Sequence, residues 1–447
     1  MKNCVMYSQK IRHYNHIFKA TVEIYRAAVD FFISVCLEEW DDISMQGTSK
    51  ARMNRLEAMT HPTSARPVVP YCFDAHDRRF YKFPSYLRRA ACMDAIGKVS
   101  SYKSSLALWE ESREGRCPGL PRAGNAYPCL YRDNMYLGGE GYMAQIKVYI
   151  RNTWDWITVS LRRSDVDYVT RHCGSMKQSS PTLQKRGKEW FLDFLYESST
   201  VLSTKPVRDQ RVLAVDLGIN NACTCSCLLS DGTVAGRRFL RLPAEEDCLK
   251  TAIGRIKKAQ QHGNRKTPRL WAAAKGINDD IAVKTAHFIM ETAALYHADV
   301  IVFEHLERGG KKRGSKKQRL HMWKTAYVQN MVGSKAHRAG LRISHVCAWG
   351  TSRLAYDGSG RVKRGDESDR TGGCCSLCEF ASGKLYNCDL NASYNIGARY
   401  FIREITKSLP ERERLALEAK VPGAARRSIC TLSTLISLNA ALAAEAA

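Results

Sequence analysis

Three segments of the chain each place one carboxylate beside an apolar run, and they constrain the fold more than any other feature. The segments are LAVDLGIN around Asp216, VIVFEHLE around Glu304 and YNCDLNASYNIG around Asp389. The first two acids close apolar runs that are typical of buried strands, and the third stands at the entrance of a helix. The three carboxylates can therefore converge in the folded chain, although 88 and 85 residues separate them in sequence.

The order of elements after Arg211 predicts the domain that holds these acids. RVLAVDLG leads into NACTCSCLLSDGTVAGRRFL, in which Asp231-Gly232 is a hairpin signal between apolar runs. Two helical stretches follow to about Tyr296, and the segments ADVIVFE and GLRISHVCAW are then predicted strands. The resulting βββαβαβα order, closed by the helix after Asp389, predicts a ribonuclease H-like domain over residues 210–407.

The first half of the chain predicts helices followed by antiparallel strands, so the fold class is multidomain α+β. Apolar residues recur with helical spacing over 17–35, and a second helix is predicted from near Pro84 to about Trp109. The segment 45–80 is rich in Pro, Arg and Ser, which predicts a loop. Alternating residues from Ala144 onward, with a hairpin at Gly187, indicate a β domain. The predicted division is a first strand over 1–16, a helical domain over 17–120, a β domain over 121–209, the ribonuclease H-like domain, and a tail over 408–447.

Composition favours an extended polyanion as the partner of this chain. Lys and Arg number 69 against 44 Asp and Glu, which gives a formal charge of +25. Nucleic acid is the first candidate and an anionic membrane surface the alternative, but no run of 18 apolar residues and no export signal is found. Seventeen cysteines, an odd number without an export signal, favour a reducing cytoplasm. Cys223, Cys225 and Cys227 alternate along a predicted strand, where free cysteine packs as a small apolar residue.

Converging carboxylates on a basic protein predict a metal-dependent nuclease. Hard divalent ions such as Mg²⁺ take oxygen ligands, and a nuclease pair lies about 3.5–4 Å apart. Each acid also has a simpler interpretation when it is taken alone. Asp216 can open the Leu217-Gly218 turn, Glu304 can end a strand in solvent, and Asp389 can cap a helix. Their joint occurrence, each within a larger matching segment, favours the catalytic interpretation.

The segments LAVDLGINNA, ADVIVFEHLE and YNCDLNASYNIGARYF resemble the three RuvC motifs of the transposon-encoded TnpB proteins and of the compact type V CRISPR effectors. The resemblance runs from about Arg211 to Ile405. It implies an RNA-guided DNA endonuclease in which Asp216, Glu304 and Asp389 hold two Mg²⁺ ions and cut target DNA opened by pairing with a guide RNA. It also implies that the helical domain is a recognition domain and that the β domain, with the first strand, is a wedge domain. These would hold the guide and a short flanking DNA motif.

The chain departs from this family in the insert at about 351–388. Relatives carry a zinc finger there with two CxxC pairs, but here Leu354 and Asp357 stand where the first pair is expected. Only Cys374, Cys375, Cys378 and Cys388 are left. Zinc requires four ligands, so Cys375 and Cys378 with Cys388 fall one short unless Cys374 or a histidine contributes. The sequence therefore favours an insert that closes over the site without structural zinc.

Two groups of basic residues are candidates for contact with nucleic acid. The first lies in GGKKRGSKKQRLHMW and comprises Lys311, Lys312, Arg313, Lys316, Lys317 and Arg319. The second is Arg88 and Arg89, with Tyr86 and Tyr102 nearby. A solvated charge run and core tyrosines are the respective alternatives. Trp154 and Trp156 share one strand face and are predicted to be buried rather than to stack on bases.

Two other functions stay open at the level of sequence. One is a guide-programmed DNA-binding protein without cleavage, and the other is a guide-independent transposase or junction resolvase on the same fold. The resemblance favours a monomer and leaves a paired arrangement open. It does not distinguish a transposon-derived guide from one encoded by a CRISPR array, and the tail over 408–447 is either a docked helix or a frayed end.

Overall fold

The computed structural model describes residues 1–13, 16–218, 222–264, 266–305, 316–373, 376–426 and 428–446; for 316–323 and 445–446 only the backbone is described. The chain divides into two compact units. One comprises Lys2–Ser198, and the other comprises Met1 with Ser199–Ala447.

The unit Lys2–Ser198 combines helices with an antiparallel sheet. Its α-helices are α1 His16–Glu38, α2 Trp40–Ser44, α3 Ser49–Thr60, α4 Phe73–His76, α5 Ser85–Ser112 and α6 Arg163–Cys173. Its strands are β1 Lys2–Arg12, β2 Tyr136–Gly138, β3 Met143–Ile150, β4 Thr153–Leu161, β5 Lys177–Gln178, β6 Thr182–Arg186 and β7 Glu189–Ser199. The sheet order is β2-β3-β4-β1-β7-β5, with β6 paired to β7. The helices predicted over 17–35 and from Pro84, the first strand and the hairpin at Gly187 are confirmed.

The prediction of a loop over 45–80 is wrong for residues 49–60, which form α3, and for residues 73–76, which form α4. Helix α3 begins after Thr48, whose side-chain hydroxyl accepts a hydrogen bond from the Ala51 N–H at 3.1 Å. Leu56 and Met59 are buried on this helix. The prolines of the segment 45–80 all follow Thr60. The composition of the whole segment therefore predicted a loop, although residues 49–60 favour a helix. Helix α6 was also not predicted.

Helices and sheet of this unit share one apolar core. Phe18 of α1 lies 5.3 Å from Trp190 of β7 between ring centroids, and Phe83 lies 5.3 Å from Trp154 of β4. All four side chains are at most 9% exposed. Burial of Trp154 confirms the packing interpretation of that residue, and each such side chain contributes about 1.5–3 kcal/mol to stability.

The second unit is built on a five-stranded mixed sheet with the order β10-β9-β8-β11-β12. Its strands are β8 Val212–Asp216, β9 Cys223–Leu228, β10 Val234–Leu240, β11 Val300–His305 and β12 Arg342–Cys347. The strands β8, β9 and β10 are antiparallel neighbours, and β11 runs parallel to both β8 and β12. Three short strands form a separate sheet in the insert: β13 Lys363–Arg364, β14 Leu377–Glu379 and β15 Leu385–Asn387.

Helices cover this sheet, and their order follows the prediction. They are α7 Pro243–Gln261, α8 Pro268–Leu295, α9 Lys316–Arg338, α10 Cys388–Ser408, α11 Glu411–Lys420 and α12 Leu432–Ala446. Because strand side chains alternate, Val212 and Ala214 pack in one core with α10 and α12. Leu213 and Val215 pack on the opposite face with α8 and α9, in the core that also contains Cys223, Cys225 and Cys227. The apolar role predicted for these cysteines is confirmed.

The C-terminal segment is docked rather than frayed. Leu435 and Leu438 of α12 have no exposed surface and lie in the same core as α10. The side chain of Asn439 donates to the carbonyl of Ser230 at 2.8 Å, at the turn between β9 and β10. Within the residues that the structure describes, no helix combines the length and apolar character needed to cross a membrane.

Candidate active site

Asp216 is the last residue of β8 and Glu304 is the last but one of β11, the adjacent parallel strand, so both acids lie at the same end of the sheet. Val215 of β8 pairs with Phe303 of β11, so the next residue of each strand is one of the two acids. Val215 and Phe303 face the core with α8 and α9. Because side chains alternate along a strand, Asp216 and Glu304 both face the opposite side, which α10 covers. The predicted convergence of these two acids follows directly from the strand pairing.

Asp389 lies in the first turn of the helix that covers this face. The cap of α10 is Asn387, whose side-chain oxygen accepts from the N–H groups of Asp389 at 3.0 Å and Leu390 at 2.9 Å. The simpler interpretation of Asp389 as a helix cap is therefore wrong. Leu390 packs in the same core as Ala214 of β8, which places the start of α10 above the strand that ends in Asp216.

The charges of Glu304 and Asp389 act on Asp216. Burial raises the pKa of Asp216 well above its ordinary value, and the negative charges of Glu304 and Asp389 raise it further. Burial also raises the pKa of Glu304. The hydrogen bond from Thr351 and the positive charge of Arg399 act in the opposite direction but do not outweigh burial. When two carboxylates oppose the ionisation of a third, a bound cation is favoured, because its positive charge offsets their repulsion.

The donor types at this edge fit a hard divalent ion. Three carboxylates supply oxygen ligands, which Mg²⁺ prefers. Thr224 of β9 is the register partner of Asp216, is 1% exposed, and has a hydroxyl without a hydrogen-bond partner among the described residues. Such an orphaned hydroxyl suits an ordered water or a hydrated ion. In the part of the chain that is described, no three His, Cys, Asp or Glu side chains stand ready to hold a metal, so ion binding would have to draw the carboxylates together.

Arg364 is a residue of this site that the sequence analysis missed. It lies on β13 of the insert and pairs with Cys378 of β14. Its positive charge favours the ionised form of Asp216, although burial and the other two acids keep the pKa of that carboxyl above its ordinary value. The only sequence signal was a Lys-Arg pair inside a segment analysed for zinc ligands. An arginine beside an acidic site suits a phosphate oxygen.

The insert is held by an apolar cluster in the residues described. Ala355, Val362 and Phe380 pack with the buried side chains of Cys378 and Cys388. A hydrogen bond from Cys388 lowers the pKa of Cys378, and the same bond raises the pKa of Cys388, so the two sulfurs are neighbours. Of the two candidate zinc ligands, Cys378 is therefore beside Cys388. Cys375, like Cys374, lies outside the described residues, so the preference for an insert without structural zinc stays a prediction.

The basic residues divide by what the structure describes. Lys311, Lys312 and Arg313 lie outside the described residues, and Lys316, Lys317 and Arg319 lie in α9, where only the backbone is described.

Arg88 does not support the predicted contact with a nucleic-acid backbone. It is 6% exposed, and its guanidinium donates to Glu57 at 3.0 Å. The reason is its position on the face of α5 that packs against α3. Arg89 donates to the same carboxylate at 3.2 Å but its side chain is 47% exposed, so its proposed contact stays a prediction.

Two comparisons relate the sequence to known proteins. The sequence model of the Aq_aa04 family matches residues 5–150. A TnpB-like protein of Aquifex aeolicus (strain VF5), aq_aa05, is 26% identical over 242 residues, which are 48% of this chain and 76% of that protein. The resemblance predicted from the acidic segments is confirmed by this relative.

The solved structure of one Cas12 protein resembles the fold of this chain. Cas12f1, in its complex with sgRNA and target DNA, aligns with a TM-score of 0.56 and 12% identity over 86% of this chain and 81% of that chain. AacC2c1 in its binary complex with sgRNA aligns over 84% of this chain and 65% of that chain, with 11% identity. Its TM-score of 0.44 is too low to support a fold assignment. At 12% identity, the likeness to Cas12f1 shows a shared α+β fold and no more.

Proposed function

We propose that this chain, a relative of the TnpB-like proteins, is an RNA-guided DNA endonuclease that hydrolyses phosphodiester bonds in a RuvC-like site. The observation that carries the proposal is the pairing of Val215 with Phe303, which brings Asp216 and Glu304 together beneath the start of α10 and Asp389. The sheet order β10-β9-β8-β11-β12, antiparallel on one side and parallel on the other, supports a ribonuclease H-like domain.

In the proposed mechanism the three acids bind the metal, and the surrounding residues shape the site. Asp216, Glu304 and Asp389 would hold two Mg²⁺ ions; when bound, these ions activate water and stabilise the leaving oxygen of the phosphodiester. Thr351 orients the Glu304 carboxylate by donating a hydrogen bond to it. Arg364, whose positive charge acts on the Asp216 carboxylate, would contact a non-bridging phosphate oxygen beside that acid.

Guide RNA and target DNA are the proposed partners. The formal charge of +25 favours polyanion binding, and the backbone phosphates would supply much of the affinity. The Cas12f1 structure holds sgRNA and target DNA, and the fold of this chain resembles that protein. With sequence readout delegated to base pairing, the protein itself would read duplex shape and a short flanking motif.

The test uses the full chain purified with co-expressed RNA. Small-RNA sequencing should reveal one enriched guide species, and a plasmid that matches its variable end should be cut in Mg²⁺. Asp216→Ala should bind the same RNA and leave the plasmid intact.

Other results would identify the alternatives. Target retention without Mg²⁺-dependent products would mean a guide-programmed DNA-binding protein. Cleavage that survives removal of the RNA would mean a guide-independent transposase or resolvase. Equal cutting by wild type and Asp216→Ala would remove the proposed active site.

A further inference from the structure

A loop after β12 brings a buried hydroxyl to the carboxylate of Glu304. This segment, residues 348–356, is named here the Thr351 loop. Thr351 is 2% exposed, and its Oγ1 lies within hydrogen-bond distance of Glu304 Oε1 and, at 3.0 Å, of the Ala348 carbonyl. A hydroxyl has one hydrogen, and the ionised carboxylate is the stronger of the two acceptors. The hydrogen bond therefore limits the orientations open to the Glu304 side chain.

The Thr351 loop is bound to α10 by buried amides. Asn391 and Asn395, four residues apart and both fully buried, lie on the same face of the helix. Asn395 Nδ2 donates to the carbonyls of Thr351 at 2.9 Å and Leu354 at 2.8 Å. Asn391 Nδ2 donates to Leu354 at 2.8 Å, and its Oδ1 accepts from the Tyr356 N–H at 2.8 Å.

Arg399, a further four residues along α10, joins the same loop to the C-terminal segment. It is 4% exposed, and backbone carbonyls surround its guanidinium. Nη1 donates to Cys347 at 2.6 Å and Trp349 at 2.8 Å, at the start of the loop. Nε donates to Cys430 at 3.1 Å and Nη2 to Ser428 at 2.7 Å. Because this buried guanidinium donates hydrogen bonds to carbonyls of both segments, it fixes the position of one segment relative to the other.

The C-terminal segment also closes the other end of this network. The Leu432 N–H, at the start of α12, donates to Asn395 Oδ1 at 3.3 Å. The Ser433 N–H donates to the Tyr356 carbonyl at 2.8 Å. Residues 428–433 thus bind both the helix and the loop that presents Thr351.

We infer that Thr351 is a positioning residue for the metal-binding acid Glu304, and that Asn391, Asn395 and Arg399 hold its loop between α10 and the C-terminal segment. The inference rests on the proposed nuclease function. Glu304 must present its carboxylate toward Asp216 and Asp389 to share ions with them, and the Thr351 hydroxyl selects one of its rotamers. Mutation of a residue that hydrogen-bonds to a metal ligand typically lowers metal affinity or activity by about 10–100-fold.

The experiment compares Thr351→Val with Thr351→Ser in the full chain bound to its RNA. Valine keeps the branched shape and removes the hydroxyl, whereas serine keeps the hydroxyl. Four quantities are measured: cleavage rate on bound target, target affinity, melting temperature, and affinity for Mn²⁺ by electron paramagnetic resonance. Thr406→Val is the matched control, because the Thr406 hydroxyl donates only within α10, to the carbonyls of Ile402 and Arg403.

We expect Thr351→Val to cut about 10–100-fold more slowly and to bind Mn²⁺ about 10-fold more weakly, with target affinity unchanged. Thr351→Ser should restore both quantities, and Thr406→Val should match the wild type. Wild-type cleavage and Mn²⁺ affinity in Thr351→Val would overturn the inference, as would a serine variant as impaired as valine. Should valine prevent folding, Thr351→Cys replaces it, since a thiol is a weak donor of similar size.

The Mn²⁺ measurement separates this inference from the proposed function. If the wild type binds Mn²⁺ but cuts no DNA, the endonuclease proposal fails. The comparison of Mn²⁺ affinity between Thr351→Val and Thr351→Ser then still decides the role of Thr351.

Discussion

Asp216 and Glu304 occupy equivalent positions at the ends of two hydrogen-bonded parallel strands, one residue beyond the pair Val215 and Phe303. Adjacent strands in a sheet lie about 4.8 Å apart, so this pairing would allow the two carboxylates to share the ions of the proposed site. Burial raises the pKa of Asp216, and the negative charge of Glu304 on the neighbouring strand raises it further. The strand pairing that positions the two acids of the proposed site is therefore also the source of the repulsion between their charges.

The three acids should act as one unit in cleavage. Glu304→Gln and Asp389→Asn are each expected to lower the cleavage rate by at least about 10³-fold while target binding persists. The double variant should be little slower than either single one, because each already removes a shared ion. Single-turnover cleavage of a matched target measures this. Multiplying effects would mean that the residues contribute independently and share no ion.

Without divalent ions, replacing Asp216 by asparagine should stabilise the fold instead of destabilising it. In EDTA at neutral pH, Asp216→Asn is expected to be more stable than the wild type, because a raised folded-state pKa makes ionisation of Asp216 oppose folding. The substitution removes a carboxylate whose ionisation burial, Glu304 and Asp389 oppose. Thermal melting with and without Mg²⁺ checks this, and only the wild type should gain substantially from the ion. A variant that melts below the wild type in EDTA would contradict the account.

The ion pair of Glu57 with Arg88 should make the helical part of the chain sensitive to acid. Burial favours a higher pKa for Glu57, but hydrogen bonds and charge from Arg88 and Arg89 outweigh it and lower the pKa below 4.5. A depressed folded-state pKa gives stability that is present above pH 4.5 and is lost as pH falls through the lower value.

Glu57→Gln is expected to cost roughly 2 kcal/mol at pH 7, because it leaves the buried Arg88 unpaired. The difference in stability between this variant and the wild type should narrow as the pH falls below 4.5 and through the lowered pKa of Glu57. Glu23→Gln is the control, since the Glu23 side chain is 56% exposed and pairs with Lys19 only at the surface. Chemical denaturation as a function of pH measures both. A cost that does not change with pH would exclude the ion pair as its source.

The C-terminal helix should stabilise the unit that it packs on. Leu435→Ala is expected to cost about 2–4 kcal/mol, because Leu435 is fully buried against α10. Ile436→Ala, next to it and 51% exposed, should cost far less. The free energies of unfolding of the two variants are compared by denaturant unfolding, and the protection of α10 is compared by hydrogen exchange. Equal, small effects would mean that the helix does not dock in solution.

The basic run after β11 should contribute to binding without sequence preference. Replacing Lys311, Lys312 and Arg313 with alanine should weaken DNA binding and reduce the slope of log affinity against log salt by about 2–3, near 0.9 per lost phosphate contact. Alanine at the exposed residues Lys407, Arg412 and Lys420 is the control. Binding measured across a salt series decides the matter. An unchanged slope would assign the run to a solvated surface.

Local pattern predicted most of the elements because periodicity is a property of neighbouring residues. Helix α1, the hairpin at Gly187 and the strands that end in Asp216 and Glu304 all carry clear apolar spacing. The pattern failed at α3, where proline in the following segment dominated the composition of the window. It also placed Arg88 among the surface candidates, because a charged residue on a helix does not reveal its partner Glu57.

The three acids, their order and the strands that carry them were determined by the sequence alone, since each acid adjoins a recognisable element. Which residues act on them was decided only by the tertiary structure. Thr351 reaches Glu304 across 47 residues, Arg364 approaches Asp216 from a separate small sheet, and Arg399 joins a loop to the C-terminal segment. Those hydrogen bonds and charge interactions have no local signature, because they depend on how strands pair and helices pack.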